Sequence, residues 1–241
     1  MGMIKTKNEI KLLKKSAQIT DSCLKLIGDA LKESITEKEL RRRVGRKIRS
    51  QNASLAFQTL VASGKRSAMI HPKPYATDKI INGIGYVDFG ACYKRYKTDV
   101  TVPFIKGKIS KKKRKIVDTT LKAYNIAISS IKLNQPCWVS FQKVNKYLKK
   151  NGFEMKHGLG HGLGLKIHEY PSIIMPMKKK LTRKGKRRWE KIKKVKFQKN
   201  MVFTIEPGIY VKNLGGCRLE NDVLLTNKGP KILTQSKLIE T

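Results

Sequence analysis

Along these 241 residues the hydrophobic pattern runs twice through one order: a long helical stripe, a shorter one, then strand-like segments. Ile10, Leu13, Ala17, Thr20, Leu24, Ile27 and Leu31 recur at steps of three and four, with Lys and Asp between them, as an amphipathic helix requires. Thr36 and Glu39 have the spacing of a capping box, and the helix they open carries Leu40, Val44 and Ile48 on one face. Phe57 to Ala62, Ile80 to Phe89 and Lys97 to Ile105 then turn to the β-branched and aromatic residues that favour strands. The second pass starts at Ser110, a helix cap, with Ile116, Thr120, Tyr124, Ala127 and Ile131 as its stripe. Pro136 interrupts it, Phe141, Val144 and Leu148 mark a shorter helix, and Asn151-Gly152 ends that helix. Strand-like material follows at Phe153 to His168, Met201 to Val211 and Arg218 to Thr226. Residue identities barely repeat, so the duplication rests on pattern. It predicts an α+β fold with a central sheet, helices outside and a cleft between the halves.

Charge is the second constraint. The chain has 54 Lys and Arg against 17 Asp and Glu, a net +37, yet 39% hydrophobic residues exclude a disordered tail. No stretch approaches the ~20 consecutive apolar residues of a membrane helix. Cys23, Cys92, Cys137 and Cys217 are far apart and form no CxxC pair, so reduced thiols and a cytoplasmic location are expected. Met175 to Lys199 holds thirteen Lys or Arg against the single acid Glu190, a net +12. Trp189, Ile192 and Val195 can support a short helix there, but no core face is evident, and the segment reads as an exposed basic insertion. An RNA or ribosome contact is one use for it; compositional drift in a chain rich in Lys and Ile is the other.

With acids this scarce, their placement in strand segments is informative. Asp88 and Asp99 flank a bend whose centre, between Tyr93 and Lys94, would make them cross-strand partners, with Cβ atoms about 4.5–5.5 Å apart. Asn213 to Gly216 forms a second turn, which sets Glu206 nearly opposite Glu220. Carboxylates so paired repel unless a cation lies between them, so two such hairpins point to a metal. Three of the four histidines fall in His157-Gly-Leu-Gly-His161-Gly-Leu-Gly-Leu-Lys-Ile-His168. In an extended chain His157 and His161 share a face and His168 points the other way unless the glycines bend the segment, so spacing does not choose the ligand. Four carboxylates and an imidazole make an oxygen-rich site, suited to Mn, Co or Fe(II) rather than structural zinc. The glycine-rich run is not a phosphate loop, because no helix start or GK[ST] follows it.

These segments resemble a family. VDFGACYKRYKTDVT, HGLGHGLGLKIHEYP, MVFTIEPGIY and GGCRLENDVLLT look like the four signatures of the Xaa-Pro peptidases, aminopeptidase P and prolidase, in the methionine aminopeptidase-like "pita-bread" superfamily. VASGKRSAMIHPKPYATD resembles the stretch before the first Asp. The resemblance runs from about Asn8 to Thr234, the extent of a catalytic domain, with halves at about 8–109 and 110–234 and the basic insertion at about 175–199. Residues 1–241 thus read as a single catalytic domain that begins without the N-terminal domain usual in the family. The resemblance implies a pita-bread fold of two pseudo-symmetric halves, a curved antiparallel sheet and outer helices.

It also implies a dinuclear exopeptidase cleaving the Xaa-Pro bond at the N-terminus of peptides or in Xaa-Pro dipeptides, with a metal-bridging hydroxide as nucleophile. Two divalent ions, Mn(II) or Co(II), are the implied cofactors. Position by position, Asp88 would serve one metal, Asp99 and Glu220 would bridge, and His161 and Glu206 would complete the second. His71 and His168 match substrate-side histidines. Glu206 is then the expected proton shuttle and His168 a donor to the developing oxyanion. Arg218, two residues from Glu220 on the same strand face, would support a ligand carboxylate. His157 reads as structural, and Glu169 and Tyr170 as positioning residues. The alternatives are a methionine aminopeptidase, which the EPGIY and RLEND segments disfavour, and a non-catalytic scaffold binding RNA or ribosomes, which a full ligand set disfavours.

Overall fold

The computed structural model of the chain describes residues 2–176 and 182–241. The first pass forms α1 (Lys7–Lys32), α2 (Glu37–Arg49), β1 (Ser54–Leu55), β2 (Leu60–Ser63), a short 3-10 helix at Gly64–Ala68, β3 (Gly83–Phe89), β4 (Ala91–Tyr93), β5 (Tyr96–Lys97) and β6 (Val100–Lys106). The second forms α3 (Lys111–Ser130), α4 (Trp138–Lys150), β7 (Gly160–Gly162), β8 (Glu169–Ile173), α5 (Arg183–Ile192), β9 (Val202–Ile205), β10 (Gly208–Val211), β11 (Gly215–Arg218), β12 (Asn221–Thr226), β13 (Gly229–Ile232) and β14 (Ile239–Glu240). The halves correspond in their three central strands. β2, β3 and β6 lie side by side in one four-stranded sheet, and β7, β9 and β12 in the same way in a five-stranded one. Each triplet is antiparallel, and β4–β5 and β10–β11 interrupt the triplets at equivalent points. β14 adds to β6 in parallel, a departure from an all-antiparallel sheet.

Local chemistry explains the helix starts. The Ser110 hydroxyl accepts from the Lys113 N–H at the head of α3. At α2 the Thr36 hydroxyl accepts from the Glu39 N–H, but the Glu39 carboxylate turns to Arg42 and Arg43, so the expected reciprocal box does not form. The complete capping box is at Thr6 and Glu9, at the head of α1. α1 and α2 cover the first sheet through Ile27, Leu31, Leu40 and Val44 against Val87, Val102 and Phe104. α3 and α4 cover the second through Val117, Tyr124, Phe141 and Val144 against Phe203, Ile205 and Val223. Each such aliphatic or aromatic side chain contributes roughly 1.5–3 kcal/mol by leaving water, so the helices are held outside and the opposite sheet faces left free to form a cleft.

Two further expectations need correction. Lys94 and Arg95, both at positive φ (46° and 72°), form the turn of the first hairpin, with Tyr93 opposite Tyr96. The turn centre therefore lies one residue later than expected. Asp88 faces Thr101 rather than Asp99. A one-residue displacement of the turn moves the register by two, an even number, so Asp88 and Asp99 still lie on one face. The basic insertion, in its described part, has a core face after all. Ile192 is buried, Trp189 meets Trp138 edge-on with ring centres 6.1 Å apart, and Phe197 is fully enclosed. The Cys137 N–H donates to the Val195 carbonyl at 2.9 Å, tying the segment to the start of α4. Residues 177–181 of the insertion lie outside the described residues.

Candidate metal centre

Pseudo-symmetry gathers the acids. Asp88 lies near the end of β3 and Asp99 directly before β6, while Glu206 directly follows β9 and Glu220 directly precedes β12. Pairings of Ile205 with Asn221 and Gly208 with Arg218 continue one register, which sets Glu206 opposite Glu220. The two hairpins meet where Thr101 and Glu220 form an antiparallel bridge. Ligating atoms of Asp99, His161 and Glu220 all fall within 4.8 Å of one another, and Glu206 Oε1 is 3.7 Å from His161 Nε2.

His161 is delivered by β7, the shortest central strand, which has glycines on both sides. A Cβ at Gly160 would sit 1.9 Å from the Thr204 carbonyl oxygen, and one at Gly162 2.1 Å from that of Tyr170, so only glycine admits the neighbouring strands. The Thr204 hydroxyl accepts from the His161 N–H, and His161 Nδ1 lies 3.1 Å from the Gly162 carbonyl. A proton on Nδ1 satisfies that carbonyl and leaves Nε2 bare, 3.6 Å from Asp99 Oδ2. Burial, with neighbouring His168, pushes His161 down to about 4, so the imidazole is neutral at ordinary pH. A register shift after His161 turns the chain, and His168 comes back beside it with ring centres 4.2 Å apart.

The electrostatics are those of a site short of positive charge. Asp88 and Asp99 are each 8% exposed and Glu220 2%. Burial raises the Asp99 carboxyl well above its ordinary value, and Glu220, Asp88, Glu206 and Asp222 push it further. Burial likewise raises Glu206, with Glu220 adding to it, and pushes Glu220 up to about 7. Arg218, 2% exposed, is the guanidinium within this cluster. It pairs with Asp88 Oδ2, donates from Nε to the Thr101 hydroxyl at 2.9 Å and from Nη1 to the Tyr210 hydroxyl at 2.7 Å, and stacks over the Tyr86 ring. Its direct partner among the acids is thus Asp88; Glu220 is reached through Thr101, whose hydroxyl donates to Glu220 Oε2 at 2.7 Å. Asp88 Oδ1 is buried with no hydrogen-bond partner. An orphaned buried oxygen, three further clustered carboxylates and a bare imidazole nitrogen fit hard or borderline divalent cations.

A cavity of about 630 Å³ opens onto these residues. His71, His157, His168, Glu169 and Tyr170 line it, as does Arg188 of α5. Several contributors carried no clear signal in the sequence. Tyr210 donates its hydroxyl to His157 Nε2 at 3.0 Å while accepting from Arg218, and His157 Nδ1 lies 3.6 Å from Glu206 Oε2. Burial, with the Arg218 charge, pushes His157 down to about 3, so it is neutral and completes a chain from Arg218 through Tyr210 to the Gly158 carbonyl. Asp222 accepts from the Asp99 N–H, fixing the backbone of that acid. Its position two residues beyond Glu220, on the same strand face, was the available signal. Lys5 is buried against Glu169 at 2.7 Å and holds the loop that carries His168.

Metallopeptidase family M24 matches residues 11–227. The chain belongs to this family. Among curated members it is 32% identical to the Xaa-Pro dipeptidase of Pyrococcus furiosus, over 98% of this chain and 64% of that one. The solved Xaa-Pro dipeptidase of Bacillus anthracis superposes with a TM-score of 0.87 at 31% identity, over 99% of this chain and 64% of that chain. The X-Pro aminopeptidase of Thermotoga maritima gives 0.85 at 30% identity, over 99% and 65%. The chain thus spans just under two thirds of the length of these family members, and its fold is their pita-bread fold. No helix among the described residues is long and apolar enough to cross a membrane.

Proposed function

We propose that the chain is a metal-dependent exopeptidase hydrolysing the Xaa-Pro bond at the N-terminus of peptides or in Xaa-Pro dipeptides, and that residues 1–241 act as its catalytic domain. The observation that carries the reading is the convergence of Asp88, Asp99, Glu206 and Glu220 around His161, with Asp88 Oδ1 buried and unpartnered. Membership of the M24 family and the names of the similar dipeptidases and aminopeptidase support it. In this reading Asp88, Asp99, His161, Glu206 and Glu220 would hold two divalent ions, Mn(II) or Co(II), and Asp99 and Glu220 would serve both. Two such ions, when bound, lower the pKa of a shared water and polarise the scissile carbonyl.

The chain's own residues do the rest. Glu206, whose proton affinity is raised by burial, takes a proton from the attacking water and passes it to the leaving nitrogen. His168, beside His161 on the cavity wall, donates to the oxygen on which charge develops, and His71 lines the substrate side. Phe57, Ile70 and Tyr75 give the cavity an apolar wall suited to a pyrrolidine ring. Arg218 and Thr101 hold Asp88 and Glu220 in place. The test is hydrolysis of Ala-Pro and Met-Ala peptides by metal-depleted protein before and after Mn(II) is added. Restored cleavage of Ala-Pro alone supports the reading, whereas cleavage of Met-Ala alone transfers the chain to methionine aminopeptidase activity.

A further inference from the structure

Glu37 is a fully buried carboxylate outside the cavity lining, in the first turn of α2. Its two oxygens are divided between the two ends of one loop. Oε1 accepts from the N–H and the hydroxyl of Ser63, the last residue of β2, at 2.8 and 3.0 Å. Oε2 accepts from the N–H and the hydroxyl of Thr77 at 3.0 and 2.8 Å. Arg66 Nε donates to Oε2 at 3.0 Å, and Nη2 of the same guanidinium donates to the Pro74 carbonyl at 2.8 Å. Between Ser63 and Thr77 the chain carries His71 to the cavity. Before His71 the backbone is held by Tyr86, whose hydroxyl donates to the Met69 carbonyl, and by Arg218 Nη1 at the Ile70 carbonyl. After His71 it is held by Arg66 at Pro74 and by the Val61 N–H at the Tyr75 carbonyl, 2.8 Å away. Capping α2 does not require this arrangement, because the Thr36 hydroxyl already serves that end. Five donors on one buried carboxylate hold a loop, not a helix end.

We propose that Glu37 and Arg66 are positioning residues for His71: their clamp fixes where the imidazole meets the substrate and so sets substrate affinity from outside the cavity. This rests on the peptidase reading above, in which His71 stands on the substrate side. A loop tied at both ends to one carboxylate has less freedom to lose when a peptide binds, and its side chain waits in the bound geometry. Arg66 extends the clamp to within three residues of His71, since Pro74 follows it so closely. No hydrogen bond among the described residues joins Glu37 to the metal cluster, so loosening the clamp should register in substrate binding and leave the metal in place. Lys38, the next residue of α2, supplies the contrast. It pairs with Asp78 at 2.6 Å on the exposed side of the same loop end, where an ion pair fixes little.

The experiment compares wild type, Glu37→Gln, Arg66→Lys, Lys38→Ala and His71→Ala, together with each clamp variant combined with His71→Ala. Gln offers one accepting oxygen and so releases one end of the loop, whereas Lys keeps the charge beside Glu37 and gives up the reach to Pro74. Each protein is read for kcat and KM on Ala-Pro, for Mn(II) content and, without metal, for hydrogen exchange of residues 69–76. The expected result is a KM raised about tenfold in Glu37→Gln and Arg66→Lys, with Mn(II) content unchanged and faster exchange of the loop. Lys38→Ala should match wild type. Each double variant should fall within about twofold of His71→Ala alone, because the clamp acts through that side chain. An unchanged KM in both clamp variants, or losses that multiply with that of His71→Ala, overturns the inference and leaves the peptidase reading standing. If Glu37→Gln does not unfold cooperatively in urea, Arg66→Lys and its double variant decide the matter by the same comparison. If wild type cleaves no peptide, the peptidase reading falls and exchange decides the clamp: faster exchange in the clamp variants sustains it, and unchanged exchange overturns it.

Discussion

Thr101 and Glu220 are hydrogen-bonded twice: the Glu220 N–H donates to the Thr101 carbonyl at 3.1 Å, and the Thr101 hydroxyl donates to Glu220 Oε2 at 2.7 Å. The same hydroxyl accepts from Arg218 Nε. The seam between the two sheets and the support of a candidate ligand are therefore one contact. Thr101→Val should leave Arg218 Nε and Glu220 each short of a buried partner, at a cost of about 1–3 kcal/mol. Urea unfolding would measure that loss, and Mn(II) titration should show a fall in affinity of roughly 10- to 100-fold. Thr101→Ser should restore most of both; if Thr101→Val binds Mn(II) like wild type, the hydroxyl does not support the ligand.

Metal content separates the roles of the acids. Wild type should bind about two Mn(II) per chain. Asp99→Ala and Glu220→Ala should lose both ions and more activity than Asp88→Ala, because a shared carboxylate orients two ions and Asp88 serves one. Elemental analysis and peptide assays read this directly, and saturation of wild type at a single ion with full activity would refute the shared pair.

The histidines divide in the same way. His161→Ala should lose metal, since its Nε2 faces Asp99 and Glu206. His168→Ala should keep its metal and lose on the order of 10²–10³ in kcat, the usual cost of a single oxyanion donor. Equal metal loss in both variants would mean that the ligand had been assigned to the wrong ring.

The metal-free protein should lose stability as pH rises. Glu220 goes from an ordinary value of 4.5 to about 7 in the fold, and burial raises Asp99 and Glu206 as well. The folded state thus binds more protons than the unfolded one between those values, so the stability present below pH ~4.5 declines as pH climbs through about 7. Thermal unfolding of chelator-treated protein at pH 5 and pH 7.5 should show the lower Tm at pH 7.5, and Mn(II) should remove the difference. A Tm that rises with pH in the metal-free protein would contradict this.

Local sequence determined the alternation of the acids, the starts of α1 and α3 and the buried stripes of the helices. Asp88 and Asp99, and Glu206 and Glu220, share faces because side chains alternate with period two, a property that survives a displaced turn. Hydroxyl caps such as Ser110 act within one turn of helix and are equally local. What tertiary structure alone decided are the partners. The turn at Lys94-Arg95 set Asp88 opposite Thr101, although neither residue is a usual donor of positive φ. His168 came to lie beside His161 because the chain turns at a register shift, which spacing cannot reveal. Arg218 chose Asp88, 130 positions away, over the Glu220 beside it in sequence, because the two halves close face to face. Arg188 reached the cavity only because Trp189 and Ile192 found apolar partners on the second half. Faces follow from covalent geometry within a strand or helix, whereas partners follow from how separate elements pack, and packing is a property of the whole chain.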